Sequence, residues 1–193
     1  CARCFLNNRG IYFFYYINMK NIYLDYAAAT PMDKSVVKAM KIYLTKNFYN
    51  PSATYLKAKA VARDIEKARS NVAKILGVRP AEIIFTAGGS EANNLSIAGV
   101  MQNFPGKHIV VSAVEHDSII IPAKKHDVSI VPVNNDGRVD LEKLPALIRD
   151  DTVLVSVMYV NNEIGTVMPL RKVAAIIERV KSDRQARGIT TPI

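Results

Sequence analysis

Residues 82–100, EIIFTAGGSEANNLSIAGV, decide how the rest of the chain is read. The run opens on an apolar stretch of strand composition, breaks at the adjacent glycines Gly88 and Gly89, and resumes with helical spacing. A strand, a tight turn and a helix are the expectation. Glycine lets the backbone turn and approach a ligand, and Ser90 stands where it would cap the helix. The N–H groups of the first helical turn have no partners within the helix and carry the positive end of its dipole. Such a turn is an anion seat, most simply for a phosphate, or else a generic strand-to-helix connection. It has neither the GxGxxG nor the GxxxxGK[ST] spacing, which argues against dinucleotide and nucleoside triphosphate sites.

Working outward, the same alternation continues. HIVVSAV (108–114), VSIVPV (128–133) and TVLVSVMYV (152–160) read as strands, separated by helical segments in EANNLSIAGVMQ, SIIIPAKK and DLEKLPALIR, with a last helix in PLRKVAAIIERVKSDRQAR. Strands apolar throughout and alternating with helices imply a three-layer α/β fold whose mainly parallel sheet is covered on both faces. Upstream, DKSVVKAMKIYLTK places Val36, Val37, Met40 and Leu44 on one helical face with Asp33 as its cap, and a long Ala-rich helix runs to about Leu76, stopped by Gly77.

At 193 residues the chain suits one α/β domain. Its 49% hydrophobic and 22% charged residues are ordinary globular usage, which excludes disorder and a membrane-embedded class. The net charge of +9 raises nucleic-acid binding, but the basic residues lie at helix-surface spacing, as in LKAKAVARDIEKARSNVAK, without dense blocks or interleaved aromatics. Solvated helix faces are the better reading, and neither direct nucleic-acid contact nor membrane association is expected. Residues 1–18 precede the first methionine, Met19, and read as an extension without structure of its own. Their apolar core, IYFFYYI, is too short for a membrane span or a signal sequence. Cys1 and Cys4 make a lone CxxC, lacking both the second pair of a zinc ribbon and the preceding strand of a redox motif, so no metal site is expected. The absence of other cysteines fits a reducing compartment.

Ligands of open parallel sheets bind beyond the carboxyl ends of the strands. Three such ends are polar: TAGGSEANN, EHDS with His116, and NNEIG with Asn161, Asn162 and Glu163. Taken singly, a histidine is more often a satisfied polar group than a catalyst, more so for His108 and His126, and asparagines serve turns. Three polar ends together favour a site. A rival reading takes GGSEA (88–92) as a nucleophile elbow with Ser90 as the nucleophile. His116, one helix later, stands too early in the chain for such a hydrolase.

With these residues in hand, the chain resembles the pyridoxal-phosphate-dependent cysteine desulfurases of the class V aminotransferase group, the NifS/IscS-like enzymes. The resemblance rests on IYLDYAAATP (22–31), NPSA (50–53), EIIFTAGGSEANN, VSAVEHDSI (111–119), DGRVDLEKL (136–144) and RDDTVLVSVMYVNNEIGTVMPL (149–170), in family order. It implies the fold type I architecture of pyridoxal 5'-phosphate enzymes, with residues 19–193 forming an amino-terminal arm and part of the large domain. It implies that Gly89 and Ser90 hold the cofactor phosphate, that His116 stacks on the pyridine ring and assists proton transfer, and that Asn162 hydrogen-bonds the ring hydroxyl. Asn161 and Glu163 would shape the turn.

The implied reaction takes sulfur from L-cysteine, leaving L-alanine and an enzyme persulfide that serves iron–sulfur cluster assembly or tRNA thiolation. The implied partners are a sulfur acceptor or iron–sulfur scaffold protein and a second copy of the chain in a cytoplasmic homodimer. Selenocysteine lyase or another class V aminotransferase is the sister reading, and a non-catalytic module the more distant one. The chain departs from the family at Ala29, where threonine is usual, at Gly89-Ser90, where Ala-Thr is common, and after NPSA, where TYLKAK lacks the customary histidine. The lysine that binds the cofactor aldehyde, the acid that keeps the pyridine nitrogen protonated and the sulfur-accepting cysteine belong to family segments that this sequence does not contain. The 193 residues alone are therefore expected to show no desulfurase turnover.

Overall fold

The computed structural model describes the backbone of two short strands, β1 (Arg3–Leu6) and β2 (Tyr12–Tyr15), and all of residues 22–193. β1 and β2 pair antiparallel, with Arg3 opposite Tyr15. The side chains of Cys1 and Cys4, and most of the 1–18 extension, lie outside the described residues.

Helix α1 (Lys34–Thr45) starts where its sequence asks: the Asp33 carboxylate accepts the Ser35 backbone N–H at 2.7 Å, meeting one of the donors a helix start leaves over. None of its residues is buried, so the face formed by Val36, Val37, Met40 and Leu44 stays exposed. Helix α2 (Leu56–Leu76) buries Ala58, Val61 and Ala73. It ends at Gly77, whose φ of +70° is the left-handed conformation that terminates helices and that a side chain disfavours.

The remaining elements are α3 (Gly89–Asn103), β3 (His108–Ser112), α4 (Asp117–Ala123), β4 (Asp127–Val131), α5 (Leu144–Leu147), β5 (Thr152–Ser156) and α6 (Leu170–Ala186). The three strands form a parallel sheet of order β4-β3-β5. Alternation along β3 divides the core. Ile109 and Val111 pack with Ile97 and Met101 of α3 and Ala123 of α4, whereas Val110 packs on the other face with Leu144 of α5 and Val173 of α6. Helices on both faces of a parallel sheet are the expected three layers. Each fully buried valine or isoleucine of β3 contributes about 2 kcal/mol of apolar transfer.

The central strand is also pinned by a polar bridge. His108 is fully buried, its Nδ1 2.8 Å from Thr152 Oγ1 on β5 and its Nε2 2.9 Å from Ser129 Oγ on β4. Both ring nitrogens are spent on register, as expected of a satisfied structural histidine. A bulge follows at once: His108 pairs with Thr152 and Ile109 with Leu154, leaving Val153 as the extra residue.

Three sequence expectations are corrected. EIIF is not a strand; Glu82 closes a single 3₁₀ turn at Pro80–Glu82, and Ile84 and Phe85 beyond it are exposed. Apolar composition concerns side chains, but a strand needs a neighbour for its backbone, and the sheet β4-β3-β5 offers this segment none. It is held instead by Arg69, which donates to the Ile83 carbonyl and lies 4.8 Å from the Phe85 ring centroid. The strand read in TVLVSVMYV stops at Ser156, because the chain turns back on itself beyond it, with Val160 bridged antiparallel to Val167. The helix read in DLEKLPALIR shrinks to Leu144–Leu147, since the Asp140 carboxylate accepts the Glu142 and Lys143 N–H groups and makes the preceding residues a turn.

Candidate active site

The start of α3 differs from its expected form in one respect: Ser90 does not cap it. The helix begins at Gly89 with Gly88 in the cap position, so Ser90 lies inside the first turn. Neighbours close the turn instead, Glu91 Oε2 accepting the Ala87 N–H at 2.7 Å and Thr86 Oγ1 donating to the Gly88 carbonyl at 3.1 Å. No side chain among the described residues caps the helix. A methyl group added at Gly88 or Gly89 would meet nothing within 4 Å, so packing of the described residues does not demand glycine there. An uncapped, exposed helix start beneath open space fits a phosphate-bearing group, as the chemistry of its donors requires.

His116 caps α4 from the end of the β3 connection. Its Nδ1 accepts the Ser118 backbone N–H at 3.0 Å and lies 2.8 Å from Ser118 Oγ, which accepts from the Asn93 carboxamide at 2.8 Å. Asn93 belongs to α3, so this chain of contacts ties the two helix starts together. Ser90, Asn94, His116, Ser118 and Lys125 line one open depression of about 270 Å³. Ser90 and His116 thus line the same depression. A larger depression, about 540 Å³, lies at the end of α6 among Arg184, Gly188 and Pro192, away from the polar strand ends.

The third polar end divides its labour. Asn161 is buried and shapes the turn: its Oδ1 accepts the Glu163 and Ile164 N–H groups at 3.0 and 3.1 Å. Asn162 is exposed, and its carboxamide donates to Glu163 Oε1 at 2.7 Å. It is not among the residues lining the depression that holds Ser90 and His116. His126 is exposed at the end of α4 and takes no part.

Sequence reasoning missed the residue that joins two of these ends. Glu115 is buried, and its carboxylate accepts from Ser112 Oγ at 2.7 Å, from Ser156 Oγ at 3.3 Å and from the Met158 backbone N–H. It thereby ties the loop carrying His116 to the end of β5. The signal was an acidic residue directly before the histidine, at a strand end where burial is the rule. The Asp136–Gly137 turn was missed as well. Thr166 Oγ1 donates to the Asp136 carbonyl at 3.0 Å, bracing the far side of the Asn161 turn.

Residues 22–183 match the protein family described as aminotransferase class-V. Over 164 residues the chain is 41% identical to the cysteine desulfurase IscS of Dictyoglomus turgidum, a match covering 81% of this chain and 42% of that one. Over 162 residues it is 42% identical to cysteine desulfurase IscS 1 of Archaeoglobus fulgidus, covering 80% and 42%. Among solved structures, a NifS-like protein superposes with a TM-score of 0.79 at 34% identity, over 83% of this chain and 46% of that one. The structure titled SspA in complex with cysteine gives 0.76 at 34% identity, over 82% and 48%. The chain thus spans a little under half the length of these relatives. Its sheet and flanking helices are those of the pyridoxal-phosphate-dependent fold type I, and the chain belongs to the aminotransferase class-V family.

Proposed function

We propose that this chain is the cofactor-binding portion of a pyridoxal-5'-phosphate-dependent cysteine desulfurase, which converts L-cysteine to L-alanine and passes the sulfur atom to an enzyme thiol as a persulfide. The observation that carries the reading is the union of Ser90 and His116 in one depression at the carboxyl edge of the sheet, in a chain whose relatives bear the name cysteine desulfurase. The serine-nucleophile alternative loses support, because among the described residues no hydrogen bond joins Ser90 to His116, whose Nδ1 is taken up by Ser118.

In this reading Gly89, Ser90 and the first-turn N–H groups of α3 take the cofactor phosphate, and His116 sits against the ring as the catalytic histidine. Asn162 takes the ring hydroxyl, which requires its carboxamide to leave Glu163. When bound, the cofactor supplies an electron sink for cleavage of the carbon–sulfur bond. The sulfur acceptor is an iron–sulfur scaffold or tRNA-thiolating protein, and the working unit is a cytoplasmic homodimer. Among the described residues no helix is long and apolar enough to cross a membrane.

The test uses the product of the uninterrupted reading frame that encodes this chain, supplied with pyridoxal phosphate and L-cysteine. Formation of one alanine per sulfur delivered to a thiol acceptor is the expected result. Turnover of selenocysteine with cysteine inert would move the assignment to the sister activity. Absence of cofactor binding would remove the enzyme reading altogether.

A further inference from the structure

We infer that Ser118, with Asn93 behind it, is a positioning residue that holds the His116 imidazole in its Nε2–H tautomer. A backbone N–H only donates, and that of Ser118 meets His116 Nδ1 at 3.0 Å, so this nitrogen presents its lone pair. Ser118 Oγ stands 2.8 Å from the same nitrogen. Since Nδ1 is bare, the Ser118 hydroxyl can meet it only as the donor, and the Asn93 carboxamide, donating to Oγ at 2.8 Å, holds that oxygen in place and takes one of its two lone pairs. Two donors from one residue converge on one ring nitrogen. A neutral imidazole has a single N–H, and here it resides on Nε2.

The consequence concerns what His116 offers a ligand. Among the described residues Nε2 has no hydrogen-bond partner, so it is the nitrogen free to face the depression shared with Ser90. It meets that ligand as a donor. A proton taken from the ligand has no vacant lone pair at Nε2, and reaching Nδ1 requires Ser118 to release the ring. His116 therefore enters the site as a hydrogen-bond donor, and becomes a base only when the Ser118 contact opens. This bearing on catalysis rests on the cofactor site proposed above, whereas the tautomer itself follows from the contacts alone.

The experiment labels the product of the uninterrupted reading frame with ¹⁵N-histidine and reads the ring nitrogens through their couplings to the ring protons, without cofactor. His116→Gln identifies the relevant pattern by its loss. The expected pattern has Nδ1 bare and Nε2 protonated. Ser118→Ala is expected to raise the Nδ1–H population about five-fold, the equivalent of one ordinary hydrogen bond. Ser118→Thr, which keeps the hydroxyl, restores the original pattern. A protonated Nδ1 in the unsubstituted chain, or a tautomer ratio indifferent to Ser118→Ala, overturns the inference. Pyridoxal phosphate is then added to the same samples: failure to bind counts against the proposed function, while the tautomer pattern has already decided the role of Ser118.

Discussion

The buried carboxylate of Glu115 accepts the backbone N–H of Met158, joining the residue before His116 to the segment that leaves β5 toward Asn161. Because Ser112 Oγ and Ser156 Oγ donate to the same carboxylate, removing it strands three donors at once. Glu115→Ala is expected to cost about 2–4 kcal/mol, each orphaned buried group contributing about 1–3 kcal/mol less what water recovers. Glu115→Gln keeps one carbonyl oxygen and should cost roughly half as much. Urea denaturation of the two variants is the check. Equal and negligible losses would show that the Glu115 link carries no stability.

His108 makes stability depend on pH. Burial lowers its pKa below the ordinary imidazole value, and the nearby Arg149 guanidinium lowers it further, with Asp127 and Asp151 opposing in part. The folded protein thus binds this proton less well than the unfolded chain does. Stability is whole above the unfolded imidazole value of about 6.5 and declines as pH falls through and below it, toward the lower folded value. Asp127, Asp140 and Asp150 are shifted down by their hydrogen bonds to Arg149, the Lys143 backbone and Arg187. Their contributions disappear only below the carboxylate range, near pH 4. Denaturation midpoints measured between about pH 7.5 and 5.5 should therefore fall in the parent chain, with a flatter slope in His108→Asn. An unchanged slope in the variant would assign the dependence elsewhere.

How far the sequence could be read follows from what each element depends on. Helix ends were legible where one residue decides them, as with the Asp33 cap and Gly77, because capping is local chemistry. The sheet was legible in β3, whose apolar residues are buried on both faces, and illegible at EIIF, where strand formation depends on a partner that composition does not reveal. The site divides in the same way. His116 and Ser90, which line one depression, were legible as candidates because they stand at the ends of apolar runs. Glu115, Asn93 and Ser118 act through contacts between segments some 25 to 43 residues apart, and no periodicity records those. The mistaken cap at Ser90 shows the limit of the local argument: Glu91 and Thr86 closed the turn first.

The Asp136–Gly137 turn supports the site from outside it. Gly137 has a φ of +74°, and a methyl group there would stand 2.9 Å from Ile164 Cδ1, on the turn that carries Asn162. Ile164 is exposed, so its side chain has room to swing away, leaving the left-handed backbone as the main penalty. Gly137→Ala should cost about 1–2 kcal/mol, and Gly137→Asn less, since asparagine tolerates that conformation. The check is thermal denaturation together with the amide shifts of residues 161–167, which should move in the alanine variant. A stable variant with those shifts unmoved would mean that the two turns are independent.

Ser90 allows the proposed phosphate seat to be separated from the stability of α3. Ser90→Asp puts a carboxylate in the first helical turn, where interaction with the helix dipole stabilises the helix by about 0.3–1 kcal/mol. The same charge opposes an incoming phosphate across a few ångströms. In the product of the uninterrupted reading frame, folding and binding should therefore move in opposite directions: the melting temperature holds or rises, while affinity for pyridoxal phosphate, read from the change in its absorbance on binding, falls by about 100-fold or more. Ser90→Ala, losing one hydroxyl, should weaken binding only about five-fold. Pyridoxal without its phosphate should bind weakly to all three proteins and show little difference among them. If Ser90→Asp binds pyridoxal phosphate as the parent does, the start of α3 is an ordinary connection, and the phosphate must be held elsewhere.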